Sequence, residues 1–124
     1  ELRQRLLQRQ CQELERRRQL FGDPDPARLR GRPLILVDDG IATGLTARAA
    51  LESLRLVEPM SLTLAVPVVD QRVVPRLEQL VDRLVALAVG EDLRAVGCYY
   101  GHFEQLDDAQ VLALLGRSCG DRPA

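Results

Sequence analysis

Apolar residues recur at helical spacing over residues 1–20. Leu2, Leu6, Leu7, Cys11 and Leu14, with Phe21 beyond them, fall near one side of a helix, and the remainder is Arg, Gln and Glu. The spacing predicts an amphipathic helix that packs on something apolar. Its polar side carries Arg16, Arg17 and Arg18 in a row, which also makes it a candidate source of cations for an anionic ligand. Gly22, Pro24 and Pro26 then break the pattern and predict a loop over 22–32. The continuous apolar run Pro33-Leu34-Ile35-Leu36-Val37 has strand length. It reads as a central strand buried on both faces of a parallel sheet.

From there the pattern alternates. Thr46 to Leu56 reads as a helix, with Ala47, Ala49, Ala50, Leu51 and Leu54 as its small and apolar residues. Ser61 to Val69 reads as a strand, with Pro67 expected near its end or at a bulge. Asp70 to about Val81 reads as a helix, Arg83 to Val89 as a strand, and Asp107 to Leu115 as a last helix capped by Asp107 or Asp108. Strands alternating with helices define an α/β fold, a parallel sheet with flanking helices. The expected organisation is a single domain over 1–124: an N-terminal helix (1–21), a loop (22–32) and an α/β core (33–116).

Composition narrows the function. The chain has 124 residues, 17 cations against 18 acids, and a net charge of −1. Every cation is Arg. The absence of Lys excludes Schiff-base catalysis and a P-loop of the GxxxxGK[ST] kind. The balanced charge argues against a nucleic-acid partner. No apolar run approaches the roughly 20 residues that span a bilayer, so no membrane partner is expected. The three cysteines, Cys11, Cys98 and Cys119, are widely spaced and fit reduced thiols in a cytoplasmic protein. His102 is the only His and has no partner at metal-ligand spacing.

The chemistry concentrates in Leu34-Ile35-Leu36-Val37-Asp38-Asp39-Gly40-Ile41-Ala42-Thr43-Gly44-Leu45-Thr46. An apolar strand ends in two carboxylates, and a turn rich in Gly and Thr opens a helix. Ligands bind at the carboxyl ends of strands in an open parallel sheet. Residues Ala42 to Thr46 can offer backbone N–H groups, two hydroxyls and a helix dipole to a phosphate. The carboxylates Asp38 and Asp39 precede that loop, so they suit another part of the same ligand. Vicinal ribose hydroxyls, or Mg²⁺ bridging to them, are natural partners. A response-regulator receiver also places an acidic pair after an apolar strand, but it needs a Lys.

This stretch closely resembles the 5-phosphoribosyl 1-pyrophosphate (PRPP) motif of the type I phosphoribosyltransferases: an apolar strand, two acids, two mostly apolar residues, then a loop ending Thr-Gly-x-Thr. Gly40 departs mildly, since the family more often has an aliphatic residue there. The resemblance, over roughly 31–116, implies a Rossmann-like fold incomplete at its N-terminus. It also implies a function: transfer of a phosphoribosyl group to a nitrogenous acceptor with release of pyrophosphate. Asp38 and Asp39 would engage the ribose hydroxyls directly or through Mg²⁺. Ala42, Thr43, Gly44, Leu45 and Thr46 would hold the 5′-phosphate. The reaction passes through an oxocarbenium-like state, so catalysis is mainly positioning and charge stabilisation, and the motif names no single catalytic residue.

Two departures qualify that function. Hypoxanthine-guanine enzymes of the family carry an Asp where this chain has Ala42, which disfavours that activity. The family's pyrophosphate loop precedes the PRPP strand, and nothing in residues 1–32 matches it. The segment Glu13 to Gly22 with Leu29-Arg30-Gly31-Arg32 resembles the lead-in of bacterial phosphoribosyltransferase-like proteins of undefined substrate, and the comparison implies the C-terminal half of such a protein. The alternative is a non-catalytic module that senses PRPP or a nucleoside monophosphate, or a degenerate binding module lacking the pyrophosphate loop. By the same resemblance the Val-Gly-aromatic segment leading to Tyr99 and Tyr100 would border a base pocket; the alternative is that these rings and Phe103 only close the end of the sheet. A thin core with an exposed sheet edge would favour a homodimer.

Overall fold

The computed structural model describes residues 1–93 and 95–120, with side chains as far as residue 116. The side chain of Cys119 therefore lies outside the described residues. The chain forms two compact units: Glu1–Pro24 with the C-terminal helix, and Asp25–Phe103.

The first unit contains α1 (Leu2–Phe21) and α5 (Asp108–Gly120). No α1 side chain is buried, and Leu2, Leu6, Leu7 and Leu14 are all exposed, contrary to the packed helix expected. Local ion pairs hold the helix instead. Arg16 and Arg17 both bind Glu13 at 2.9 Å, and Arg18 reaches Asp23 at 2.6 Å. The Arg16 bond, then the Arg17 bond, bring the Glu13 carboxyl down to about 2. Arg16 also meets Asp108 of α5 at 2.8 Å. The three arginines are thus committed to acids within this unit. Asp107 caps α5 reciprocally: the Gln110 N–H donates to its carboxylate at 2.8 Å, and its own N–H donates to the Gln110 side chain at 2.9 Å.

The second unit contains α2 (Pro26–Leu29), β1 (Pro33–Val37), α3 (Leu45–Leu56), β2 (Ser61–Asp70), α4 (Val74–Glu78), β3 (Arg83–Gly90) and a single 3₁₀ turn (Val96–Tyr99). The short α2 lies within the expected loop. Asp25 caps it by accepting the Ala27 N–H at 3.0 Å, with Pro26 in its first turn. The sheet is parallel throughout, as the alternation predicts, with order β1-β2-β3.

Three local expectations change. First, β2 is the central strand and β1 an edge. Leu34 and Leu36 turn toward the core, while Ile35 and Val37 are 67% and 69% exposed, so β1 is not buried on both faces. The reason is that α3 and α4 pack on the same side of the sheet. Ala47, Leu51 and Leu77 join Leu62, Leu64, Val66 and Ile41 in one core. Second, Pro67 lies inside the central strand. The register runs Val66↔Ala86 and Val68↔Ala88, so Pro67 omits one pairing without slipping the ladder. Third, the helix expected from Asp70 is only Val74–Glu78. Asp70 ends β2, its carboxylate accepts the Arg72 N–H at 2.9 Å to fix a turn, and Pro75 can enter a helix only in its first turn.

Candidate functional site

Parallel pairing brings the carboxyl ends of β1, β2 and β3 to one edge. There the chain leaves β1 through Asp38, Asp39 and Gly40 and returns to the core at Ile41. The Ile41 N–H donates to the Val68 carbonyl at 3.0 Å, and the Asp70 N–H donates back to the Ile41 carbonyl at 2.8 Å. Ile41 itself is 3% exposed, so an apolar anchor pins the middle of the turn to β2. Gly44 then precedes α3 with φ +76°, a left-handed conformation that favours glycine. The first N–H groups of α3 have no acceptors within the helix, and that of Leu45 donates to the Thr43 hydroxyl at 3.5 Å.

The turn and the start of α3 enclose an open pocket of about 300 Å³. Asp38 and Gly40 line one part of it, and Ala42, Thr43, Gly44, Leu45 and Thr46 line another. Val96 closes a wall. Asp38 is half-buried and Asp39 exposed. The Asp39 N–H donates to the Asp38 carboxylate at 2.8 Å. Burial, and then the neighbouring Asp39 carboxyl, push the Asp38 carboxyl above its ordinary value. Thr43 and Thr46 are exposed, and Arg48 pairs with Glu52 at 2.9 Å. Asp39, Tyr99 and Tyr100 do not line this pocket. Instead the Tyr100 hydroxyl donates to the Asp39 main-chain carbonyl, and its ring meets Phe103 at 4.8 Å. Tyr99 is 52% exposed and lays its hydroxyl against Gly90.

A third carboxylate at this edge was not singled out by the sequence pattern. Asp70 has no exposed surface. Its oxygens accept from Arg72 Nε at 3.0 Å, Arg72 Nη2 at 2.7 Å and the Leu93 N–H at 2.9 Å. The Arg72 guanidinium, then the Arg72 and Leu93 amides, hold this carboxyl well below the usual carboxylate range. Asp70 thereby ties the β2–α4 turn to the segment after β3. The available signal was an acid directly after an apolar strand, the same signal that marks Asp38.

Two adjacent carboxylates, one pushed up by burial and by the other, fit a divalent cation. Mg²⁺ typically takes one or two carboxylates and completes its shell with water and substrate oxygens. Among the described residues, no three His, Cys, Asp or Glu side chains gather as a metal site, so any such ion would need donors from the ligand. Also among the described residues, no helix is long and apolar enough to cross a membrane.

The fold and site define an α/β protein with a parallel sheet and a carboxylate-flanked helix start at its carboxyl edge. No family model matches the chain. It is 40% identical over 114 residues, 91% of its length, to two Mycobacterium tuberculosis proteins, from strains CDC 1551 / Oshkosh and H37Rv, each named "Putative phosphoribosyl transferase". The match spans 26% of each of those proteins. The crystal structure of TT1426 from Thermus thermophilus superposes with a TM-score of 0.69 at 40% identity. It covers 82% of this chain and 47% of that one. The chain spans about a quarter of the length of these curated relatives and about half of the solved chain.

Proposed function

We propose that this chain carries the phosphoribosyl-binding site of a phosphoribosyltransferase-like protein, taking PRPP or a ribose 5-phosphate together with Mg²⁺. One observation carries the reading: a single pocket joins Asp38 to a left-handed glycine at a helix start. The 5′-phosphate would sit on the amides and hydroxyls of residues 42–46. The ribose hydroxyls would face Asp38 and Asp39, which would also hold Mg²⁺. That ion would neutralise charge on the pyrophosphate when bound. The residues themselves orient the ribose, fix its phosphate and exclude water from one side through Val96. In the reaction proposed for the whole protein, a nitrogen nucleophile forms a bond to the anomeric carbon as the bond to pyrophosphate breaks. A nucleoside monophosphate is the product.

A second reading, a binding or sensing module, is favoured by one feature. No residue lining this pocket is cationic, so within it only a bound metal ion would balance the charge of a departing pyrophosphate. Calorimetry separates these possibilities in stages. The native chain should bind PRPP in the presence of Mg²⁺, and Asp38→Ala with Asp39→Ala should weaken binding by about 100-fold or more, as loss of charged contacts does. Equal, weak heats for both proteins would sink both readings. Pyrophosphate release with a panel of nitrogenous acceptors then tells transferase from sensor.

A further inference from the structure

The segment after β3 touches the acidic turn directly. A Cβ at Gly40 would overlap the Val96 side chain, with Val96 Cγ2 at 2.9 Å and Val68 Cγ1 at 3.0 Å. Val96 thus occupies the space an aliphatic side chain at position 40 would need. Beyond it, the Tyr100 hydroxyl donates to the Asp39 carbonyl, and the Tyr100 ring leans on Phe103 with a 40° tilt. Phe103 in turn packs so closely on Gly97 that a Cβ there would lie 2.8 Å from its ring. The turn bearing both carboxylates is therefore held from two directions: Ile41 pins it to β2, and Val96 with Tyr100 holds it from outside.

We propose that Val96–Phe103 is a latch on the acidic turn, with Tyr100 as a positioning residue that sets the conformation of Asp38 and Asp39 for ribose. Gly40 is the complement of the latch, because any side chain there would lift Val96. This inference rests on the phosphoribosyl reading for its ligand, while the latch itself is a property of the turn.

Three variants test it. Tyr100→Phe keeps the ring contact and removes the hydroxyl. Gly40→Ala drives Val96 outward, and adding Val96→Ala to it restores room. Each is titrated with PRPP and Mg²⁺, melted, and followed by amide exchange at residues 38–41. Tyr100→Phe is expected to weaken PRPP about 5- to 10-fold, the worth of one hydrogen bond, with little change in Tm. Exchange at residues 38–41 is expected to quicken. Gly40→Ala should weaken binding further, and the double variant should recover part of the loss. Affinity within twofold of native with unchanged exchange in Tyr100→Phe overturns the latch, as does failure of Val96→Ala to rescue. If the native chain shows no heat with PRPP, the phosphoribosyl reading and the positioning for ribose fall together. The latch then stands or falls on the exchange result alone.

Discussion

Two carboxylate sites share the carboxyl edge of this sheet, and both follow an apolar strand. Asp38 and Asp39 end the run Leu34 to Val37, while Asp70 ends the run Leu64 to Val69. Their environments are opposite. Asp70 is wholly buried, with side-chain and main-chain donors on both oxygens, and it is held in its charged form. Asp38 is half-buried beside another carboxylate and is pushed toward its neutral form. A satisfied buried charge is structural, since its partners are already in the protein. A carboxylate kept uncomfortable at a pocket wall is a candidate binding group, since its partner has yet to arrive.

The largest effect should come from exchanging these fates. The double replacement of Asp38 and Asp39 by Ala should weaken PRPP binding by about 100-fold or more while leaving the Tm within a few degrees of native. Asp70→Ala should do the reverse. It strips the Arg72 guanidinium and the Leu93 N–H of their acceptor, so the Tm should fall by more than about 5 °C. A Tm unchanged in Asp70→Ala would break the comparison, because the clamp would then carry no stability.

Gly44→Ala is an intermediate case. Its Cβ has room, with Val73 Cβ at 3.5 Å, but φ +76° disfavours any L side chain by about 1–2 kcal/mol. Phosphate binding should weaken about 3- to 10-fold, and loss of affinity for inorganic phosphate would parallel that for PRPP. An unaltered titration would remove the left-handed helix start from the site.

The smallest effects are in pH dependence, and they differ in sign. Asp70 has a folded value below its unfolded one of about 3.9, so its stabilisation is present above that value and lost as pH falls. Asp38 has a folded value above its unfolded one. The folded state then holds the extra proton, and stability declines as pH rises between the two values. Asp38→Asn should therefore melt slightly higher than native at neutral pH, and PRPP binding to the native chain should strengthen as pH rises through the Asp38 value. A Tm–pH curve for Asp38→Asn that overlays the native one would show that the crowding of Asp38 has no energetic weight.

Much of this unit was legible along the chain. The run Pro33 to Val37 is β1 as read, and α3, β2 and β3 start or end within a residue of their sequence bounds. Periodicity and turn residues act locally, so they carry that information. The acid pair and the Gly-Thr loop could be read for the same reason, being contiguous. What failed depended on distant residues. The extent of α4 was misjudged because Asp70 takes its partners from Arg72 and Leu93, and a strand-end acid looks like a helix start until those partners are seen. The edge position of β1 was missed because a continuous apolar run does not say how many of its faces are covered.

The sequence by itself determined that strands and helices alternate and that a Gly- and Thr-rich turn opening a helix follows an acidic pair. Those properties reside in neighbouring residues and the backbone they permit. Only the tertiary structure decided which carboxylate is clamped and which is open, that Val96 fits the space left by Gly40, and that Tyr100 grips the turn rather than facing the pocket. These are relations between segments far apart in the chain. They are set by side-chain volume and hydrogen-bond geometry across the end of the sheet, and no local pattern records them.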